Sequence, residues 1–201
     1  MGLKKKDYDY DYDYDYDFCS GDAGLGEDSM RHSAIYPGSF DPLTSGHLDL
    51  IERASHIFDH VVVAVGVNSR KKTFFSAEER IEMVKSSVKS LKNVKVDSFN
   101  GLLVNYARSK KIHVLLRGLR AFSDFEYEFQ MALANRKLAP EIEMIFLMPK
   151  ETHSYISSST VREISDRGGD ISQFVPPSVK KFIEKKYSGV RSQNSGVRIQ
   201  E

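Results

Sequence analysis

The sequence predicts an α/β fold: a single Rossmann-like domain with a five-stranded parallel sheet and helices on both faces. Three observations carry that prediction. Strand-like and helix-like hydrophobic periods alternate from Met30 to Tyr187. Two strand-like runs, 60–67 and 113–116, are mostly Val, Ala and Leu, as in strands covered on both faces. The residues suited to chemistry collect just after the strand-like runs, where an open parallel sheet binds its ligands.

Taken in order, the first strand spans 34–36. A loop punctuated by Pro37, Gly38 and Pro42 leads into a helix over 45–58, with Leu48, Ile51 and Phe58 on one side. The second strand is 60–67. Ser76-Ala77-Glu78-Glu79 has the spacing of a capping box, in which Ser and Glu each bond the other's backbone N–H. Ile81, Val84, Val88 and Leu91 make the stripe of the helix behind it. A strand over 94–99 follows, then a short helix over 102–110, then the strand 113–116. Asp124 opens a helix whose apolar face is Phe125, Phe129, Ala132 and Leu133. The fifth strand covers 142–148, and a helix over 158–167 ends at Gly168-Gly169. Pro176-Pro177-Ser178 opens a last helix with Val179, Phe182 and Ile183 inward.

The ends of the chain read differently. Residues 4–18 run from three lysines into a strict Asp–Tyr alternation, a repeat that cannot bury a mixed core and whose like charges repel. Residues 1–29 are therefore expected to be a disordered leader or tail, 30–187 the folded domain, and 188–201 a flexible C-terminal tail. Residues 1–29 hold three Lys against nine acidic side chains, a net of −6; residues 30–201 hold 26 basic and 19 acidic side chains, a net of +7. A basic domain suits an anionic partner, nucleic acid or a small phosphorylated molecule. Cys19 is the only cysteine, which removes an internal disulfide framework or thiolate metal site and fits a reducing compartment. No apolar run approaches the roughly 18 residues that a membrane span needs. A cytoplasmic protein with no membrane partner is expected.

The most informative run is Ala34-Ile35-Tyr36-Pro37-Gly38-Ser39-Phe40-Asp41-Pro42-Leu43-Thr44-Ser45-Gly46-His47. It reads as strand, loop and helix start, with a histidine in the first helical turn. Unpaired N–H groups and the helix dipole make such a start a phosphate site, and Gly46 leaves room for the ligand. His47 then acts as a charge donor or, since the same dipole lowers a histidine's pKa, equally as a neutral hydrogen-bond donor. Arg117-Gly118-Leu119-Arg120 follows the fourth strand and sets two guanidinium groups where bidentate phosphate contacts are useful. Ser157-Ser158-Ser159-Thr160 opens a second helix with more hydroxyls than capping requires, and Arg162, one turn on, belongs to the same run, its bland alternative being a solvent-facing helix residue. Arg70-Lys71-Lys72 follows the second strand, either as a solvated run or with one lysine reaching an anion. Walker A and Gly-x-Gly-x-x-Gly patterns, a Ser/His/Asp nucleophile set and a His/Cys metal cluster are all absent from the sequence. What remains is a site for holding phosphates by position and charge, the need of phosphoryl-type chemistry without a covalent intermediate.

Tyr36-Pro37-Gly38-Ser39-Phe40-Asp41-Pro42, Thr44-Ser45-Gly46-His47 and Ile156-Ser157-Ser158-Ser159 together resemble the nucleotidylyltransferase superfamily. Arg117-Gly118-Leu119-Arg120-Ala121, with Asp124-Phe125-Glu126-Tyr127-Glu128 after it, is similar to the bacterial phosphopantetheine adenylyltransferase family in particular. The resemblance runs from Ser33 to Tyr187. It implies transfer of AMP from ATP to 4′-phosphopantetheine, giving dephospho-coenzyme A and pyrophosphate, with Mg²⁺ assisting. It implies a homohexamer, and it assigns no metal ligand. It implies that His47 stabilises the transition state, that Ser39 touches the phosphates of both substrates and that Phe40 lines the ATP site. Lys71 and Arg117 would hold the acceptor phosphate, and Leu103 would line the pantetheine arm. Gly118, Leu119, Arg120 and Glu128 would bind ATP, with His153, Ser154, Tyr155, Ile156, Ser157, Ser158 and Ser159 around adenine and the β,γ-phosphates. Ser39 stands where the family often has Thr, and His153 where an aromatic residue is common. The competing readings are a related enzyme with another acceptor, such as nicotinamide mononucleotide or glycerol 3-phosphate, a nucleotide sensor without turnover, and a nucleic-acid binder. Against the last, the basic residues sit at strand ends without interleaved aromatics.

Overall fold

A computed structural model describes residues 32–67 and 72–194. The Asp–Tyr leader, Lys71 and residues 195–201 lie outside the described residues. Five strands form one parallel sheet: β1 (Ser33–Gly38), β2 (His60–Gly66), β3 (Val94–Phe99), β4 (Val114–Gly118) and β5 (Glu143–Leu147). Their spatial order is β3-β2-β1-β4-β5, all neighbours parallel. The register runs from Ser33 opposite His60 to Gly38 opposite Val65, and Ala34 pairs with Val114 on the other side. The chain leaves β1 toward β2 and later returns to β1's opposite flank as β4. The β1/β4 seam is thus the switch point, and its carboxyl end is the expected ligand crevice.

Among the described residues six helices cover the sheet: α1 (Ser45–Ile57), α2 (Ala77–Ser87), α3 (Leu103–Ser109), α4 (Phe122–Leu138), α5 (Ser158–Asp166) and α6 (Pro177–Asn194). The last reaches beyond Tyr187, where the sequence placed the end of the domain. One core layer joins Tyr36, Val61, Val63 and Leu116 to Leu50 and Ile51 of α1, Met83 and Val84 of α2, Val161 of α5 and Val179 of α6. The second joins Ile35, Ala64 and Leu115 to Val104 and Ala107 of α3 and to Ala139 and Ile142. Each fully buried aliphatic side chain contributes about 1.5–3 kcal/mol, and truncating Ile51 or Leu115 to Ala costs roughly 2–5 kcal/mol. Among the described residues, no helix is long and apolar enough to cross a membrane.

Local chemistry sets the helix starts. Ser76 and Glu79 close the capping box read from the sequence: Glu79 N–H donates to Ser76 Oγ at 3.2 Å, and Ser76 N–H to Glu79 Oε2 at 2.8 Å. At α1 the reciprocal pair is Thr44 and His47, with a ring nitrogen in the carboxylate's place.

Two expectations are corrected. β4 continues to Gly118, so Arg117 and Gly118 belong to the strand and not to the loop after it. α4 begins at Phe122, and its apolar face points outward: Phe125, Phe129 and Leu133 are 46, 47 and 52 % exposed. The buried positions of α4 are polar, Glu128 and Asn135, because the helix presents a carboxylate to Arg117 and an amide to Met144 Sδ at 3.6 Å.

Candidate active site

The β1/β4 seam opens into a cleft of about 490 Å³. Its walls come from the β1–α1 loop, the end of β4, the first turns of α4 and the start of α5. Of the residues singled out in the sequence, Ser39, His47, Arg117, Gly118, Arg120, Glu128, Ile156, Ser157, Ser158 and Ser159 line it together.

Others stand elsewhere. Phe40 is 1 % exposed and lies beneath the cleft, its ring edge-on to His47 at 5.3 Å and to Tyr36 at 5.6 Å. It supports the histidine from below and does not form the wall. Leu103 opens α3 and packs against the second core layer. Leu119 donates its N–H to Leu147 O at 3.0 Å, joining the end of β4 to β5. His153 backs onto Gly46, where a Cβ would come within 3.3 Å of the His153 carbonyl. Ser154 Oγ bonds the Glu151 carbonyl at 2.8 Å, and Tyr155 is 65 % exposed. The 71–72 pair is represented by Lys72, a cleft residue.

His47 is the most constrained of the polar side chains. Its Nδ1 accepts the Thr44 backbone N–H at 3.1 Å and lies 2.9 Å from Thr44 Oγ1. A backbone N–H can only donate, so Nδ1 carries no proton and the neutral ring holds its proton on Nε2. Burial, with Arg120 and Arg117 nearby, pulls its pKa down from 6.5 to about 4. At neutral pH the cleft therefore contains an uncharged N–H donor in the first turn of α1. Tyr36 is likewise neutral, because burial pushes its phenol well above the ordinary value.

Three arginines face the cleft, each with a carboxylate. Arg117 grips Glu128 in a bidentate pair, Nε to Oε2 at 2.8 Å, and donates Nη1 to the Pro37 carbonyl at 3.1 Å. Burial alone would lower its pKa, but Glu128 more than reverses this and keeps the guanidinium charged. Arg120 reaches Asp124 at 3.1 Å and the Ile156 carbonyl at 3.2 Å. Arg162 bonds the Asp41 carbonyl and lies 3.5 Å from its carboxylate. Of the two readings of Arg162, the cleft residue is the one the fold shows. Asp41 in turn accepts the N–H groups of Phe74 and Phe75 at 2.9 and 2.8 Å, bringing the segment with Lys72 and Thr73 to the rim. Incoming phosphates can draw on all three guanidinium groups by competing with these carboxylates.

The start of α5 completes the ring. Ser157 Oγ caps Thr160 N–H at 3.0 Å and meets the hydroxyls of Ser159 and Thr160 at 2.8 and 2.7 Å. Ser158 Oγ donates to the Pro42 carbonyl at 2.8 Å, tying this helix start to the one at α1. Two helix N-termini, a neutral N–H donor, three guanidinium groups and Lys72 converge on one space, an arrangement able to bind a polyphosphate and stabilise charge developing on it. Among the described residues no three His, Cys, Asp or Glu side chains gather as a metal cage. Sequence reasoning gave no role to Tyr127, Thr73 or Asp41: Tyr and Asp carry no phosphate signal, and Thr73 reaches the cleft only through tertiary closure.

Comparison with known proteins agrees with this geometry. Residues 35–164 match the model of the family described as cytidylyltransferase-like. The chain is 52 % identical over 160 residues to a phosphopantetheine adenylyltransferase of Desulforudis audaxviator, covering 80 % of this chain and 98 % of that protein. It is 49 % identical over 159 residues to one of Clostridium perfringens, covering 79 % of this chain and 97 % of that protein. A crystal structure described as a nicotinate-nucleotide adenylyltransferase from Vibrio parahaemolyticus superposes with a TM-score of 0.58 at 22 % identity, covering 79 % of this chain and 96 % of that one, a likeness of fold.

Proposed function

This chain belongs to the phosphopantetheine adenylyltransferases of the cytidylyltransferase-like family, and we propose that its β1/β4 cleft joins AMP from ATP to 4′-phosphopantetheine. The products are dephospho-coenzyme A and pyrophosphate. One observation carries the reading above all: His47, neutral and locked by Thr44, offers a single fixed Nε2–H at the start of α1.

The phosphate oxygen of 4′-phosphopantetheine attacks the α-phosphorus of ATP in line. One P–O bond forms, the bond from the α-phosphorus to the bridging oxygen breaks, and pyrophosphate leaves with the electron pair. The nucleophile is already ionised at neutral pH, so the chain needs no general base. His47 donates to a non-bridging α-phosphate oxygen as charge builds there. Ser39 contacts phosphates of both substrates, and Arg117 and Lys71 hold the acceptor phosphate. Gly118, Arg120, Glu128 and the segment from Ile156 to Ser159 hold ATP, with the start of α5 at its β,γ-phosphates. Phe40 acts by fixing the His47 ring. Leu103, through its backbone or its flank, lines the pantetheine arm; Leu119 binds ATP with its neighbours, and His153, Ser154 and Tyr155 wrap the adenine.

Mg²⁺ enters as part of the substrate, on the ATP phosphates. The cleft offers hydroxyls and guanidinium groups, and its nearest carboxylates already serve Arg117, Arg120 and Arg162. That donor set suits a metal held by phosphate oxygens and neutralising their charge, rather than a protein cage. The chain assembles with copies of itself, six in the family the sequence resembles. Supporting this, α4 exposes Phe129, Met131, Leu133 and Leu138, and the edge strand and its end expose Ile145 and Met148. The proposed compartment is the cytoplasm, in line with a lone cysteine. Mass spectrometry after incubation with MgATP and 4′-phosphopantetheine tests the reaction: dephospho-coenzyme A supports it, and ATP bound but unconsumed contradicts it.

A further inference from the structure

Arg80, on the first turn of α2, is 2 % exposed and is absent from the cleft wall. Its Nη1 donates to the Ser39 carbonyl at 2.7 Å and to the Gly66 carbonyl at 3.0 Å, and its Nε to the Ser76 carbonyl at 3.3 Å. These three carbonyls belong to the chain leaving β1, the end of β2 and the cap of α2. The β1/β2 register ends at Gly38 opposite Val65. Ser39 and Gly66 are the next residues along, where the strands part. The guanidinium thus spans the fork just beyond the last paired residues.

The peptide it holds is under constraint. Phe40 has φ 47°, a left-handed conformation that a bulky residue adopts only where its surroundings impose it. Its ring folds back over Gly38, where a Cβ would come within 2.7 Å of Phe40 Cζ. The Phe40 ring is buried, and Arg80 holds the Ser39 carbonyl of the same peptide. Together they fix the turn at Ser39, a residue of the cleft wall.

Among the described residues no carboxylate lies within ion-pair distance of Arg80. Glu78 feels its charge without touching it; burying a cation that no carboxylate contacts is costly, and neutral donors could bridge carbonyls alone. The chain keeps a charge here, directly behind the turn that faces phosphates.

We propose that Arg80 is a positioning residue for adenylyl transfer, fixing the Ser39 turn from behind and acting on the reaction through Ser39. The inference rests on the reading of the cleft given above. A double-mutant cycle tests it with Arg80→Lys, which keeps the charge but lacks the planar fork, and Ser39→Ala. Turnover and KM for ATP and 4′-phosphopantetheine are measured for all four proteins, with thermal melts alongside. With Ser39 present, Arg80→Lys is expected to lower kcat about tenfold and to change either KM less than about threefold. In the Ser39→Ala background the same substitution is expected to lower kcat less than about twofold. Equal losses in both backgrounds, from unfolding or general loosening, overturn the proposal, as does full activity of Arg80→Lys. Turnover of the parent enzyme reports separately on the reaction itself.

Discussion

Replacing His47 with Ala removes one preorganised donor and little else. The donor is single, because Nδ1 is engaged by Thr44 and only Nε2–H is left for substrate. It is also neutral, since a pKa of about 4 leaves only about one ring in a thousand protonated at pH 7. Loss of one such donor from a water-poor site costs about 2.7–4 kcal/mol in the transition state, or about 10²–10³ in kcat. The substitution also takes the acceptor from Thr44 N–H, a capping loss of about 1 kcal/mol. In a domain of this size that lowers Tm by about 2–4 °C. Initial rates of pyrophosphate release with both substrates saturating, beside a thermal melt, separate the two effects. A hundredfold or greater fall in kcat with a melt within a few degrees of the parent is expected. Near-normal turnover would remove His47 from the mechanism and refute the reasoning.

Three further outcomes are expected. Arg117→Ala raises KM for 4′-phosphopantetheine by about 10- to 100-fold, the worth of a charged hydrogen bond, and KM for ATP by much less; equal losses would count against the assignment. Stability should fall as pH drops from 6.5 toward 4. The unfolded chain takes up a proton at His47's ordinary pKa of 6.5, while the folded ring, buried beside Arg120 and Arg117, refuses it until about 4. Urea midpoints of the parent should therefore fall more steeply over that range than those of His47→Gln, and parallel slopes would contradict this. Leu133→Glu, on the exposed stripe of α4, should reduce the assembled mass in sedimentation while leaving the monomer folded; an unchanged mass would exclude α4 from the interface.

Much of this was legible in the chain because it is local. The Ser76–Glu79 capping box depends on spacing alone, and both of its bonds are present. The strand, loop and helix start from Ala34 to His47 carry their own punctuation. The carboxyl-end rule then turned alternating elements into a cleft location. The orientation of α4 was not legible, because periodicity shows that Phe125, Phe129 and Leu133 share a stripe but not whether that stripe meets its own sheet or another surface. The deciding residue is Glu128, drawn inward by an arginine on the neighbouring strand. Nothing in the sequence separates Arg80 from an ordinary helix cation, and Arg162 has that alternative too. Their carbonyl partners Ser39 and Asp41 lie far back in the sequence, and only the closed fold shows the pairing.

The most direct test is pyrophosphate release from MgATP with no acceptor, with 4′-phosphopantetheine, and with nicotinamide mononucleotide or glycerol 3-phosphate. Release that requires 4′-phosphopantetheine is the predicted result. Release supported by another acceptor instead, or ATP binding with no release at all, would contradict the account.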